Sequence, residues 1–430
     1  MPDHDKNWPA SLWADTAVVA DPFPVLDQVL DIETCVIGAG YTGLSTALHL
    51  SELGREVVVI DQHQPGWGCS GRNGGQINPA WKALPESIRT RYDSNTFDQT
   101  LQLINNSCDQ VFELIDRYDI ECDSIRPGYV MGIRGQKQLD WAMEWARQWG
   151  VLGSAVEFLD RSESESYLGT SAYDRCMIDT RGGSLQPLSF ARGLARVAVQ
   201  NGADIYGDTK ALSSEVKDDR WVVATREGSV RCQNIVIGTN GYTDHLFPKL
   251  KKAIVPVASL LSATTPLKSH IAKHILPNKN AVSDTAGMPV YYRLDSQNRM
   301  VFGGRGRIDG KTGRCDTRAL RQQAIDLFPA LQDADWQYDW GGYPAMTVHA
   351  CPMLIKLGEN AFSGLGYNGR GLAMAVVMGK QLAQAVIGEK TVLPQESLQT
   401  IPFHALHSLG VAARIGSGHL RDFFTRHIPD

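Results

Sequence analysis

The 430-residue chain is predicted to be an α/β protein whose parallel sheet is interleaved with antiparallel strands, an α+β insert in the α/β layer. Three observations predict this. A strand–glycine turn–helix–strand unit occupies Ile32–Asp61, and short β-rich runs bounded by turn residues recur between about 204 and 304. A second glycine loop, Gly366–Gly371, leads into a long apolar helical pattern, Leu372–Ile387. A chain of this length exceeds a comfortable single core, so one composite domain or two is expected.

Taken in order, Thr34–Ile37 is a β-rich apolar run, Leu44–Leu53 carries apolar residues at helical spacing, and Val57–Ile60 is a second strand. Together they make one βαβ unit of about 30 residues. From Trp81 to Glu165 the period becomes helical: Leu101, Ile104, Cys108, Val111, Phe112 and Ile115 recur at steps of three and four, and Asp140–Trp149 is another helix. Gly128–Ile133 between them is a short strand. Pro187 marks the start of a helix reaching about Gly202, followed by Asp204–Tyr206. Leu212–Val216 and Trp221–Thr225 flank the turn Lys217–Arg220 as a hairpin, and Asn234–Gly238 is a buried type of strand. Ile254–Thr265, Val290–Arg293 and Met300–Gly304 are antiparallel candidates, with Gln297-Asn298 as the last turn; Leu320–Leu331 is helical and Phe362–Gly364 a strand. Because the two kinds of strand alternate along the chain, the nucleotide-binding domain is expected to be discontinuous: 30–80 with 180–250 and 335–395. A substrate-binding domain takes 81–180 and 251–334, and 396–430 is a C-terminal tail.

Hydrophobic residues at 43% and charged residues at 21% describe an ordinary globular chain. A net charge of −5, with no basic run and no basic–aromatic stripe, excludes nucleic acid as an expected partner. No apolar run approaches the roughly 20 residues that cross a bilayer, so no integral membrane segment is expected. Met1–Asp31 lacks the charged-then-apolar order of a secretory signal. The eight cysteines include no C-x-x-C, which leaves reduced thiols, no metal site and a cytoplasmic location as the expectation.

Gly38, Gly40 and Gly43 spell G-x-G-x-x-G in the first strand–helix turn, with Tyr41 and Thr42 inside the motif. The glycines serve a tight turn, close approach to a pyrophosphate and close helix–strand packing, and the helix N-terminus offers free N–H groups to phosphate. Asp61, with Gln62 after it, ends the second strand where an acid can accept from ribose hydroxyls. That acid disfavours a 2′-phosphate and leaves NAD and FAD open.

Directly afterwards, Pro65-Gly66-Trp67-Gly68-Cys69-Ser70-Gly71-Arg72-Asn73-Gly74-Gly75-Gln76 is mostly small residues. Such backbone can lie flat against a planar ring or wrap a pyrophosphate; a plain flexible loop is the alternative. On Ser70-Gly71-Arg72-Asn73-Gly74-Gly75-Gln76 the chain resembles the D-amino-acid oxidase and sarcosine oxidase group of FAD-dependent oxidoreductases, and within it the γ-glutamylputrescine oxidoreductase branch. The resemblance runs from about Leu12 to Ile387. It implies a glutathione-reductase-like flavoprotein: a Rossmann-type FAD-binding domain with an interleaved antiparallel-sheet substrate domain. Val236-Ile237-Gly238-Thr239-Asn240-Gly241-Tyr242 resembles the strand beneath the pyrophosphate, and Val216 matches a position whose backbone meets adenine. Tyr291-Tyr292-Arg293 and Phe302-Gly303-Gly304-Arg305 match substrate-domain strands. Trp340-Gly341-Gly342-Tyr343 and Gly364-Leu365-Gly366-Tyr367-Asn368-Gly369-Arg370-Gly371, followed by Leu372, match the segments that return to the flavin.

Three positions depart from sarcosine oxidase. Gly342 stands where that enzyme has a flavin-linked cysteine, so the FAD is expected to be held non-covalently. Val301 stands where it has a lysine that promotes reaction with O₂, which leaves O₂, a quinone or an electron-transfer protein open as acceptor. His349 replaces a common aspartate. The resemblance implies oxidation of the C–N bond of a small amine such as γ-glutamylputrescine, by hydride transfer to flavin N5 and hydrolysis of the imine to an aldehyde. An oxidase or dehydrogenase of secondary or D-amino acids, and a non-catalytic flavin-binding assembly protein, are the alternatives. Candidate substrate-positioning residues are Tyr292, Arg293, Tyr343, His349 and Arg370. An arginine can grip a carboxylate with two prongs, and Tyr292, Tyr343 and Tyr367 can wall a pocket or face an ammonium. The arginines are otherwise surface ion pairs or phosphate contacts, and the tyrosines otherwise core.

Overall fold

The computed structural model describes residues 8–153, 156–309, 313–407 and 410–411, so most of the expected tail 396–430 lies outside the described residues. Strand Val29–Ile37 pairs in parallel with Val57–Ile60 on one side and Ser229–Ile237 on the other. Val57–Ile60 is buried throughout, as a β-branched run covered on both faces should be. Asp204–Tyr206 extends the sheet beyond Val57–Ile60, and Ala361–Leu365 extends it beyond Ser229–Ile237. Met353–Gly358 and Gln395–Ser397 close that edge. The predicted hairpin is Ser213–Lys217 with Arg220–Ala224, turning through Asp218 and Asp219 at positive φ, the geometry that matches strand twist.

Helix Tyr41–Glu52 packs against this sheet and against Gly371–Val386, a helix buried on almost every side. Gly379 makes their approach possible: a Cβ there would lie 2.4 Å from Ser45 Cβ and 2.7 Å from the Thr46 amide. The Ser45 hydroxyl donates to Val376 O at 2.7 Å.

A second, eight-stranded sheet runs in the order Trp336–Gly342, Ser259–Thr264, Met300–Arg305, Tyr291–Leu294, Ala281–Asp284, Tyr129–Ile133, Arg175–Asp179 and Val156–Leu159. All its pairings are antiparallel except Ala281–Asp284 with Tyr129–Ile133. The turn at Gln297-Asn298 forms as expected, with Asn298 at positive φ and the Asp295 carboxylate accepting from the Gln297 and Arg299 amides. Trp336–Gly342, grouped by sequence with the nucleotide-binding segments, pairs instead with Ser259–Thr264 in this sheet.

Two small ladders mark where the chain crosses between sheets, Gln76–Ile77 with Gly183–Ser184 and Val255–Pro256 with Ala345–Met346. The short helix Leu12–Thr16 seals one seam: Leu12 and Trp13 pack with Leu188, Leu261, Val301 and Trp340.

Candidate active site

A continuous cavity of about 2390 Å³ runs from the parallel sheet, past both glycine loops, to the antiparallel sheet. At one end lie Gly38, Gly40, Tyr41 and Thr42, where the turn between Ile37 and the helix exposes its N-terminus. A Cβ on Gly38 would sit 3.0 Å from the Gly238 carbonyl carbon, and one on Gly43 1.9 Å from Gly38 O. The turn therefore admits no side chain there, and Gly43 serves packing without lining the cavity.

Asp61 and Gln62 line the same end. Asp61 is half-buried, and its Oδ2 accepts from the Ala39 amide at 2.7 Å and its Oδ1 from His63 N at 2.9 Å. Burial pushes its carboxyl up to about 6, against the lowering pull of those two amides, and Asp208 adds to the rise. His63 stacks on Trp67 at 3.6 Å, and burial lowers its pKa. Thr209, Lys210 and Ala211 complete this wall. Val216 does not: it is 58% exposed on the outer hairpin, where cross-strand pairing with Trp221 turns it away from the cleft. The structure thus leaves Val216 off the cavity wall, which the Lys210–Ala211 segment leading into the hairpin does reach.

The Ser70–Gln76 run is a tied joint. Ser70 Oγ accepts from Tyr41 N at 2.9 Å, linking the run to the helix start. Asn73 Nδ2 donates to Ser70 O at 2.8 Å and Cys69 O at 3.1 Å, and its Oδ1 accepts from Gly75 N at 2.8 Å. Arg72 lies over the Trp67 ring at 3.9 Å and donates to Trp67 O at 2.7 Å. Trp340 and Trp13 donate to the carbonyls of Arg72 and Asn73 at 3.0 and 2.8 Å. Gln76 Nε2 reaches Val282 O and Tyr292 O in the second sheet. Ser70, Arg72, Asn73, Gly74 and Gln76 line the cavity; Gly71 and Gly75 do not, since a Cβ on them would collide with Gly66 O and Leu185 O.

The second loop closes the other side. Tyr367, Asn368, Gly369, Arg370, Gly371 and Leu372 line the cavity, with Thr239 and Asn240 opposite. Gly366, Asn368 and Gly369 take positive φ, and Asn368 Oδ1 accepts from Thr347 N at 3.0 Å. Tyr367 shares a 2.7 Å hydrogen bond with Thr42 Oγ1, so the two loops meet. Gly366 and Gly241 stand behind the surface, where a Cβ would strike Cys351 O and Tyr343 O. Two helix N-termini, at Tyr41 and Gly371, thus open on one elongated cavity with bare backbone between them. That cradle fits a dinucleotide carrying a planar ring system.

Of the expected substrate-positioning residues, only Arg370 lines the cavity; it donates to Pro79 O at 2.7 Å and lies over the Tyr129 ring. Tyr292, 1% exposed, stacks on Phe302 and hydrogen-bonds Tyr173 in the core of the second sheet. Arg293, 4% exposed, spends its guanidinium on Gly74 O at 2.8 Å and Leu185 O at 2.7 Å. Tyr343 packs edge-on against Tyr242 behind the wall. His349 is exposed and bonded to Gln399 Oε1 at 2.7 Å. The physical reason on the Tyr291–Leu294 strand is alternation: Tyr291 lines the cavity and its neighbour does not. Residues that sequence reasoning missed include Trp81, Tyr129, Met131, Tyr291 and Arg305 on the antiparallel side.

The model of the family described as DAO, FAD dependent oxidoreductase, matches residues 33–385. Gamma-glutamylputrescine oxidoreductase of Escherichia coli (strain K12) is 30% identical over 383 residues, covering 88% of this chain and 89% of that protein. Among solved structures, glycine oxidase from Geobacillus kaustophilus has a TM-score of 0.71 at 19% identity, covering 86% of this chain and 99% of that one. L-Proline dehydrogenase from P. horikoshii has a TM-score of 0.71 at 20% identity, covering 85% and 96%. No helix among the described residues is long and apolar enough to cross a membrane. The tied Ser70–Gln76 joint, the bare cradle between two helix N-termini and the matched family together make this chain an FAD-dependent oxidoreductase of the D-amino-acid oxidase type.

Proposed function

We propose that the protein oxidises the C–N bond of a small amine or amino acid, with γ-glutamylputrescine or a related polyamine derivative as the leading substrate. The carrying observation is that the cavity continues past the cradle onto the antiparallel sheet, between Tyr129, Met131, Ser283, Tyr291, Arg305 and Arg370. FAD held there without a covalent link would supply the hydride acceptor for the substrate carbon. The cradle residues Gly38–Thr42, Ser70–Gly74 and Tyr367–Leu372 hold it, and the sheet residues bind and orient the substrate against it. The relative named for γ-glutamylputrescine supports the substrate; glycine oxidase and L-proline dehydrogenase, alike in fold, support an amino acid as the second reading.

The test is anaerobic bleaching of the flavin by γ-glutamylputrescine, other polyamine derivatives, proline-like acids and D-amino acids. Fastest bleaching by γ-glutamylputrescine is expected; a preference for proline or a D-amino acid moves the protein to the second reading. A flavin bleached by none of them leaves a non-catalytic flavin-binding protein. Reoxidation of the bleached enzyme by O₂ or by a soluble quinone then identifies the acceptor.

A further inference from the structure

We propose that the cavity rim formed by residues 402–407, with the lysines beside it, docks on an anionic lipid bilayer, so that the protein lies on a membrane surface without crossing it. The inference goes beyond the oxidative reading above and does not depend on the substrate. Phe403, His404, Leu406 and His407 line the cavity. Phe403 is 84% exposed and Leu406 57%, so these two apolar side chains stand at its open edge and face water. Val348, 67% exposed, adds to this rim: its neighbour His349 is bonded to Gln399, four residues before Phe403. An aromatic ring and two aliphatic side chains left in water at one rim are unfavourable, and apolar clusters of this kind mark contact surfaces.

The turn that presents them is tied down. Ile401 N donates to Lys252 O at 2.8 Å, and His404 Nε2 donates to Ile254 O at 2.8 Å. His407 stacks on His404 at 4.8 Å, and its Nδ1 donates to His404 O. Phe403 takes φ 53° and ψ 33°, a left-handed conformation that a bulky residue keeps only where its surroundings impose it. The same bonds set the turn beside the end of the short helix Pro248–Lys251. Lys249 and Lys252 are exposed and Lys251 is half-buried, and none of the three makes an ion pair among the described residues. Asp244, the acid just before them, is paired with Lys210 at 3.5 Å. In a chain of net charge −5, the exposed Phe403 and Leu406 thus stand next to a local excess of positive charge. That combination fits an anionic interface: the apolar side chains enter the headgroup boundary while the lysines meet the phosphates. Three apolar side chains fall well short of the roughly 800 Å² per partner that a stable protein interface takes, which favours lipid over a second protein.

The test is co-sedimentation of the whole FAD-loaded chain with vesicles of phosphatidylcholine alone or of equal parts phosphatidylcholine and phosphatidylglycerol. Binding to the anionic vesicles is expected to be at least about tenfold tighter, and to weaken as NaCl rises from about 0.05 to 0.5 M, because salt screens exposed charges. Phe403→Ser together with Leu406→Ser should weaken it roughly tenfold. Lys249→Gln together with Lys252→Gln should weaken it by a similar factor and flatten the salt dependence, whereas Lys249→Arg with Lys252→Arg should bind as the parent does. No sedimentation with the anionic vesicles, or equal sedimentation with both kinds, overturns the proposal even if a variant fails to fold. Serine changes that lower the melting temperature but leave vesicle binding intact also overturn it, and assign Phe403 and Leu406 to packing within the chain. A dimer in analytical ultracentrifugation that the serine changes dissociate, without vesicle binding by the parent, overturns it in favour of a second copy of the chain.

Discussion

The Ala39 amide donates to Asp61 Oδ2 at 2.7 Å, so the carboxylate that faces the nucleotide end of the cleft also ties the glycine turn to the end of the next strand. Burial holds this acid at about 6, and ribose hydroxyls donating to it would favour the charged form. Binding then expels the proton, so FAD affinity should rise with pH up to about 6 and level off above it. Below that point the dissociation constant should increase by up to about tenfold per pH unit. Fluorescence titration of apoprotein with FAD between about pH 5 and 8 measures this. Asp61→Asn should bind more weakly at neutral pH and lose the slope; an unchanged slope would assign it to another group.

Asn73 donates to two carbonyls of its own loop and accepts from Gly75 N. Asn73→Ala should lower the unfolding free energy by about 1–3 kcal/mol, the cost of leaving partly buried backbone groups unpaired. It should also speed FAD release, seen as loss of yellow colour on gel filtration. Asn73→Asp keeps the acceptor and loses the donor, and should fall between the two.

Arg293 is bonded to Gly74 O and Leu185 O and lies over the Trp13 ring, away from the cavity. Arg293→Ala should therefore act on stability, by about 2–5 kcal/mol in urea unfolding, because it opens a hole and orphans two carbonyls. The apparent KM for an acidic substrate should be retained by whatever protein folds, and a raised KM with normal stability would return Arg293 to the pocket.

Gly379 faces Ser45 and the Thr46 amide across the two buried helices. Gly379→Ala forces the helices apart and should cost at least about 1–3 kcal/mol. Both helices begin at the cradle, at Tyr41 and Gly371, so FAD affinity should fall with the melting temperature. A variant as stable as the parent would show that the helices can separate freely.

The cradle was legible in the sequence because its signals are local. Gly38, Gly40, Gly43 and Asp61 are spaced by one turn, one helix and one strand, and the Ser70–Gln76 and Gly366–Leu372 runs stand out by composition. The substrate side was not legible. On the strand Tyr291–Leu294 a one-residue step puts Tyr292 in the core, while Arg293, on the same face as Tyr291, is taken up by Gly74 O and Leu185 O. Arg305 was marked only as the end of a substrate-domain strand; its place on the cavity wall shows only when strands distant in sequence are assembled. Val216 stands off the cavity wall, and a hairpin edge looks the same in sequence whether it meets a ligand or solvent. The strands Ala281–Asp284 and Met353–Gly358 were not read from the sequence.

The parallel sheet takes neighbouring strands from residues 29–37, 229–237 and 361–365. During synthesis the early βαβ unit waits with open edges until residues 204–237 have been made, and the strand Ser229–Ile237 then waits for 361–365. Cofactor capture, which needs Tyr367 against Thr42, is thereby postponed until almost the whole polypeptide has left the ribosome.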